Sequence, residues 1–320
     1  MAQPTNTFDS YDAVGIREDL TDVIHNVDPF DTPFYSSAAK TKASNTYHEW
    51  QTDSLRASAS NAHIEGDDTT AESRSATTRL GNYTQIFKNA VVIPDTDSGL
   101  DKAGRAGEMA YQIMKVAKEQ KLDIEKALLD SNARVAGNST TAREMAGLPA
   151  WLYTNTVFGA NEGADPTGDG SNTRTDEVTA ITAFSSSKFD TVMQSIWENS
   201  GSGRNYTCLL SAFQMNVVLG FTGNNNQRAT IPAGENKVVN VVDVYVTPWG
   251  TVDFVMSREN RSRDVFILNM DYFKVPVLRG TRNTELAKTG DSTKRQVITE
   301  LTLESCNEAA SGGVFDNTTS

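Results

Sequence analysis

The side chains of this 320-residue chain that could make or break bonds are few and scattered. Its three histidines, His25, His48 and His63, all fall in the first fifth of the sequence. None sits beside a cysteine or in an HExxH setting, so a zinc centre lacks a ligand set. Serine and aspartate are present too, but nothing in that stretch fixes a histidine between a nucleophile and a carboxylate. Cys208 and Cys306 lie far apart and read as two free thiols of a reducing compartment. The segment from Asp165 through Thr167, Asp169, Gly170 and Ser171 to Asp176 resembles a calcium loop in its alternating oxygens. Its last position is aspartate where glutamate is needed, and Pro166 interrupts it, so a plain Gly/Asp loop is expected. AKTGDS (287–292) has the small residues of a phosphate loop at the wrong spacing and reads as a turn between strands. Neither GxSxG nor GxxxxGK[ST] occurs. No catalytic residue, metal ligand or cofactor site is assigned, and the chain is read as a non-enzyme.

Composition narrows the remaining classes. Acids outnumber bases 41 to 29, giving a formal charge of −12, which disfavours a general nucleic-acid clamp. No run of eighteen apolar residues occurs, and the polar stretch Met1 to Ser10 is not read as a secretory leader. Two cysteines exclude a disulfide scaffold, and 320 residues suffice for a sizeable core.

The elements that must do the work are therefore surfaces. Residues 1–44 read as an arm. Val14, Ile16, Leu20, Val23 and Ile24 suggest a short amphipathic helix with Asp19 and Asp22 opposite, and Pro29 and Pro33 end it. Phe30, Phe34 and Tyr35 then form apolar anchors in a segment of little regular structure. TYHEWQT (46–52) and NYTQIFKNAVVI (82–93) read as strands flanking a polar excursion, 54–79, with a turn near Gly66. Such a hairpin is marginal alone and needs a partner surface.

Residues 97–133 carry the strongest helical pattern, capped by Ser98, with Met109, Ile113, Val116, Gln120, Ile124 and Leu128 on one face. At this length the rod would reach about 50 Å. Asp123 and Glu125 are placed on its solvated or interfacial side. Leu148, Pro149, Trp151 and Leu152 form a small apolar node. Helices follow over 186–201, with Phe189, Val192, Ile196 and Trp197 on one side, and over 211–223, with a strand at 206–210 between them. Strands dominate from 237 onward, including a hairpin turned at Pro248–Gly250 and an alternating strand at 295–307. Residues 311–320 are small and polar and are expected to fray.

Two basic groups stand out in so acidic a chain. Arg56, Arg74 and Arg79 sit in the hairpin beside Glu65, Asp67, Asp68 and Glu72, either as a mixed solvated surface or as forks for a neighbour's carboxylates. Arg258, Arg261, Arg263, Arg279 and Arg282, followed by Lys288, Lys294 and Arg295, could meet an acidic partner or serve internal ion pairs.

Several strings, in order along the chain, resemble the SU10-type major capsid proteins of tailed bacteriophages. They are SYDAVGIREDLTDVIHNVDPFDTPFYS (10–36), HEWQTDSL (48–55), GADPTGDGSNTRTDE (163–177), GFTGNNNQRATI (220–231) and VVDVYVTPWGTV (241–252). The run from Asp271 to Gly280 and ELAKTGDSTKRQVITELTLESCNEAASGG (285–313) complete the set. Each is weak alone; their ordered combination is specific. The resemblance implies an α+β chain of HK97-like capsid fold. Its parts would be an N-terminal arm (1–44), an E-loop hairpin (45–92) and a peripheral domain with the spine helix (93–134). An axial domain (135–255), return strands of the peripheral domain (256–310) and a flexible tail (311–320) would follow.

It also implies a shell of hexamers and pentamers enclosing double-stranded DNA in a virion assembled in the bacterial cytoplasm. Partners would be other copies of the chain, with decoration, portal and scaffolding proteins, and no membrane. Tyr47, Trp50, Arg56, Arg74, Arg79, Tyr83 and Phe87 on the hairpin, and Phe30, Phe34 and Tyr35 on the arm, would meet neighbours. No lysine lies between Lys42 and Lys88, so a hairpin-borne isopeptide weld is not expected and the shell would be non-covalent. No long charged extension precedes the arm, so a fused scaffolding domain is not expected either. An encapsulin-like compartment shares this fold and is the alternative. A hydrolase or sugar-binding β protein would need a convergent acid pair that the sequence does not offer.

Overall fold

The structure is a computed structural model describing residues 30–68, 71–100, 102, 104, 107–159, 165–200, 205–221 and 244–319. The amphipathic helix expected over 14–24, and most of 220–243, lie outside the described residues. In chain order the elements are α1 (Pro33–Ser37), β1 (Ala39–Lys42), β2 (Tyr47–Thr52), β3 (Thr78–Tyr83), β4 (Gln85–Pro94), α2 (Asp95–Ser98) and α3 (Glu108–Leu129). Then come β5 (Thr156–Val157), α4 (Ser186–Asn199), β6 (Asn205–Leu210), α5 (Ala212–Leu219), β7 (Val244–Thr247), β8 (Gly250–Met256) and β9 (Val265–Leu268). β10 (Phe273–Glu285), β11 (Ser292–Leu301), β12 (Glu304–Ser305) and β13 (Gly312–Val314) close the chain. Helices and sheets alternate irregularly, an α+β arrangement.

Two sheets form the body. One runs β1-β10-β11-β4 with β12 also on β10, and α3 lies across β4 and β11. The other runs β5-β13-β9-β6-β8-β7, with α4 against β5 and β13. A third, two-stranded sheet, β2-β3, stands apart from both. The turn 286–291 joins β10 to β11 as expected, and Thr247 pairs with Gly250 at the β7–β8 hairpin. Two cores result, the first also taking in Leu209, Phe266 and Leu268 from the six-stranded sheet. Phe34, Ile124, Leu128, Trp151, Phe273 and Leu301 belong to the first; Phe189, Val192, Ile196, Cys208 and Val252 to the second.

The spine helix is shorter than its pattern suggests. Glu108–Leu129 spans 22 residues, about 33 Å, and Asp95–Ser98 is a separate turn. Three glycines, 99, 104 and 107, interrupt the interval, and Gly107 is the N-cap. Ser98 is not the N-cap of α3; its hydroxyl donates to the Asp95 carbonyl at 2.7 Å. The buried face deepens toward the C-terminus: Met109, Ile113 and Val116 are half-buried, Ile124 and Leu128 fully buried. Gln120 between them is also buried. Its amide donates to Asn89 Oδ1 (3.1 Å) and the Val297 carbonyl (3.2 Å) and accepts from Thr299 Oγ1 (2.8 Å), tying the helix to the sheet.

Four further expectations are corrected. The strand expected over 82–93 is two: Thr84 separates β3, which pairs with β2, from β4, which pairs with β11. The strands after 256 divide, β9 joining the six-stranded sheet and β10 and β11 the other. Trp197 is 58% exposed on α4 while Phe189, Val192 and Ile196 face the core. The C-terminal segment does not fray. β13 lies between β5 and β9, and Phe315, Asp316 and Asn317 are fully buried.

Candidate assembly interface

The hairpin β2–β3 has a fixed root and a bare tip. At the root, Tyr47 and Tyr83 face each other across the strands, ring centroids 4.6 Å apart. Trp50 packs on Trp151 of the apolar node at 5.2 Å, and both indoles lie against the first core. Gly81 faces the Tyr47 ring so closely that a Cβ there would lie 2.6 Å from Cζ. This is a strand glycine required by close approach.

The Gly81 carbonyl accepts from the Arg134 guanidinium at 2.5 Å. The buried Asn82 amide donates to the Leu303 and Ala146 carbonyls (2.9 and 3.3 Å) and accepts from Ala146 N–H at 2.9 Å. His48 Nε2 pairs with Glu304 at 3.1 Å, and Lys274 and Cys306 converge on the same carboxylate at 3.3 and 3.1 Å. Burial raises the Glu304 carboxyl, but hydrogen bonds from Cys306, His48 and Lys274 outweigh it and hold the group below its ordinary range.

Beyond the root the character changes. Every described residue from Asp53 to Arg79 is exposed. The charges pair locally: Arg56 and Arg74 with Glu72 at 3.2 and 3.9 Å, Arg79 with Glu49 at 3.0 Å, His63 with Asp67 at 3.5 Å. Exposed pairs of this kind contribute little. Gly66, at φ +85°, makes the turn. Leu55 and Ile64 stand 98% and 84% exposed, aliphatic surface that the chain itself leaves uncovered.

The arm residues divide. Phe30 is exposed, but Phe34 is fully buried, edge-on to Phe273 at 6.0 Å, and Tyr35 is half-buried. The segment is regular after all. α1 docks on α3, and β1 pairs parallel with β10 over Ala39↔Lys274 to Lys42↔Val277. Phe34 is thus a core residue of its own subunit, because parallel pairing of β1 pulls the preceding turn onto α3. Phe87 is corrected likewise. It faces α3 from β4 and is buried in the first core. Tyr47, Trp50 and Tyr83 are half-buried against their own chain at the root, so the exposed hairpin surface includes Arg56, Arg74, Arg79, Leu55 and Ile64.

Sequence reasoning missed Glu125. It is buried, and its carboxylate accepts the backbone N–H groups of Phe34 (2.9 Å) and Tyr35 (2.6 Å), whereas Asp123 is exposed as expected. Five of the eight members of the basic group after 258 serve internal pairs. Arg261 and Arg263 hold Asp176, Arg279 holds Glu300 at 2.6 Å with Arg143 on its other oxygen, Lys288 holds Asp95 at 2.7 Å, and Arg295 holds Glu285 at 3.0 Å. In the calcium-like loop, Asp169 Oδ1 accepts from Thr167, Ser171 N–H and Ser171 Oγ, and Asp176 turns to the arginines. Among the described residues no three His, Cys, Asp or Glu side chains gather as metal ligands, and no helix is long and apolar enough to cross a membrane.

Comparison with known proteins agrees with this architecture. A major capsid protein of Escherichia phage Phieco32 is 28% identical over 348 aligned residues, covering 98% of each chain. Among solved structures, the capsid of cyanophage A-1(L) superposes with a TM-score of 0.64 at 12% identity, over 98% of this chain and 99% of that one. The capsid of a native GTA particle gives 0.63 at 7% identity, over 97% and 98%. The fold is therefore the HK97-like capsid fold. The family model for the SU10 major capsid protein matches residues 3–318, and the chain belongs to that family.

Proposed function

We propose that copies of this chain close into a shell of hexamers and pentamers around double-stranded DNA, each hairpin tip lying on a neighbouring copy without a covalent weld. The family's work is structural, building the phage head, and the match over residues 3–318 favours this over the encapsulin-like alternative. The observation that carries the proposal is the bare tip. Every described residue from Asp53 to Arg79 is exposed, Leu55 and Ile64 among them. Covering each aliphatic side chain is worth about 1.5–3 kcal/mol. One such contact is modest, but a closed lattice repeats it at every subunit. Arg56, Arg74, Arg79 and the acids beside them would set register against complementary charges.

The net charge of −12 supports a lining that repels phosphate, so that packaged DNA slides rather than sticks. Assembly in the host cytoplasm, with scaffolding, portal and decoration partners, completes the proposal.

The double variant Leu55→Asp/Ile64→Asp tests it. Gel filtration should return folded small species in place of particles, and wild-type particles in SDS without boiling should give only the monomer band. Normal particles from the double variant, or a ladder of multimers from the wild type, would count against it.

A further inference from the structure

Glu125 is the only point at which a side-chain carboxylate of α3 meets the arm among the described hydrogen bonds. It is fully buried. Its two oxygens accept one backbone N–H each, from consecutive residues of α1, and among the described residues no cation lies within ion-pair distance of it. A buried carboxylate with dipoles but no counter-ion is costly when charged. We propose that Glu125 is a proton-linked latch for the arm: uncharged, it holds residues 33–42 on the body, and ionised, it loosens them.

The surroundings support the sign. Burial pushes the Glu125 carboxyl up to about 7. The Tyr35 and Phe34 N–H groups pull it back only in part, Asp31 adds to the rise, and Lys40 opposes it. Charged groups on the other elements packed against α3 are engaged elsewhere or face away. Glu300 on β11 is taken by Arg143 and Arg279, and Arg295 by Glu285; Lys294 donates to Thr289, and Lys88 on β4 is exposed. The turn Leu148–Ala150 carries no charge.

Lys40 is the arm cation that acts on Glu125, but its nitrogen donates to the Tyr35 and Ala38 carbonyls and sits 3.7 Å from the Tyr35 ring centroid. Partial burial of that nitrogen lowers it to about 8, with Glu125 pulling the other way.

A carboxyl raised in the docked state binds its proton more tightly there than when undocked. Docking is therefore strongest below the ordinary carboxylate range and weakens as pH rises toward 7. Lys40 acts oppositely, and its loss of charge above about 8 restores docking, so the arm is held least firmly between about 7 and 8. The interval between the ordinary glutamate value of 4.5 and about 7 corresponds to a change on the order of a hundredfold in the docking equilibrium.

The test is amide hydrogen exchange in the full chain from pH 5 to 8, corrected for the intrinsic rate, followed on the peptide covering 30–42. Wild-type protection should fall on the order of a hundredfold between about pH 5 and 7, with its logarithmic midpoint at about 6, while Glu125→Gln should show no such fall and Lys40→Met should keep it. A flat wild-type profile, or a Glu125→Gln protein with the wild-type midpoint, overturns the proposal. Should Glu125→Gln not fold, the carboxyl carbon of Glu125 followed by NMR in the wild type decides. A midpoint near 7 supports the latch, and one near the ordinary value of 4.5 with the arm docked overturns it.

Discussion

The hairpin tip and the C-terminal segment are made of the same materials and meet opposite fates. Residues 54–79 and 311–319 are both runs of small polar residues with glycine and few large apolar groups. The first is exposed along all its described length; the second fills a slot between β5 and β9 and is buried from Ser311 to Asn317. What separates them is whether the backbone finds partners. Gly313 and Val314 pair with Thr156 and Val157 on one side and with Phe266 and Val265 on the other.

The side chains of the C-terminal segment then lock the slot. Phe315 stacks with Phe158 at 6.0 Å and meets Phe266 edge-on at 5.7 Å, and the Arg174 guanidinium lies 4.0 Å from its ring centroid. Asp316, at φ +53°, accepts from Arg174 at 3.0 Å and from Glu177 N–H at 3.0 Å. Among the described residues the hairpin tip finds no such slot.

That contrast can be broken at graded cost. Phe315→Ala should be the most damaging, at about 3–5 kcal/mol in chemical denaturation of the unassembled chain, because it empties a fully buried ring site. A tail that merely frayed would show almost nothing. Gly312→Ala comes next, at about 1–3 kcal/mol, since its Cβ would fall 2.3 Å from the Asn155 carbonyl oxygen. Gly66→Ala at the hairpin turn is the matched control. Its Cβ meets nothing within 4 Å, and although φ there is +85°, the strain stays in a segment outside the core. The unfolding midpoint should move by less than about 0.5 kcal/mol equivalent. Equal effects at 312 and 66 would mean that the two regions are not energetically distinct.

Local order was legible wherever a period or a turn carried it. The strand at 47–52, the helix at 186–199 and the turn between β10 and β11 follow from alternation, three-and-four spacing and Gly/Asp placement. The long helix was over-extended because apolar spacing persists past Gly99, Gly104 and Gly107, and only the break itself shows that the glycines prevail. Residues whose fate depends on distant partners were not legible. Glu125 looks like any helix-surface acid until α1, about ninety positions away, lays its amides on it. The tail's slot is built from strands more than forty and more than a hundred positions upstream. Asn82 carries no local signal at all, whereas Gly81 within a strand does hint at close approach. For the interface, the sequence located the hairpin, but Phe87, Phe34 and the root aromatics belong to the subunit's own packing.

The most direct test of the account removes the tip and asks what is lost. Excision of residues 56–76 leaves both hairpin strands and the root contacts of Trp50 and Asn82 in place. The shortened chain should match the wild type in far-ultraviolet circular dichroism and denaturation midpoint, yet yield no closed particles by negative-stain electron microscopy. Normal shells from that variant would contradict the assignment of the tip as the surface through which copies join.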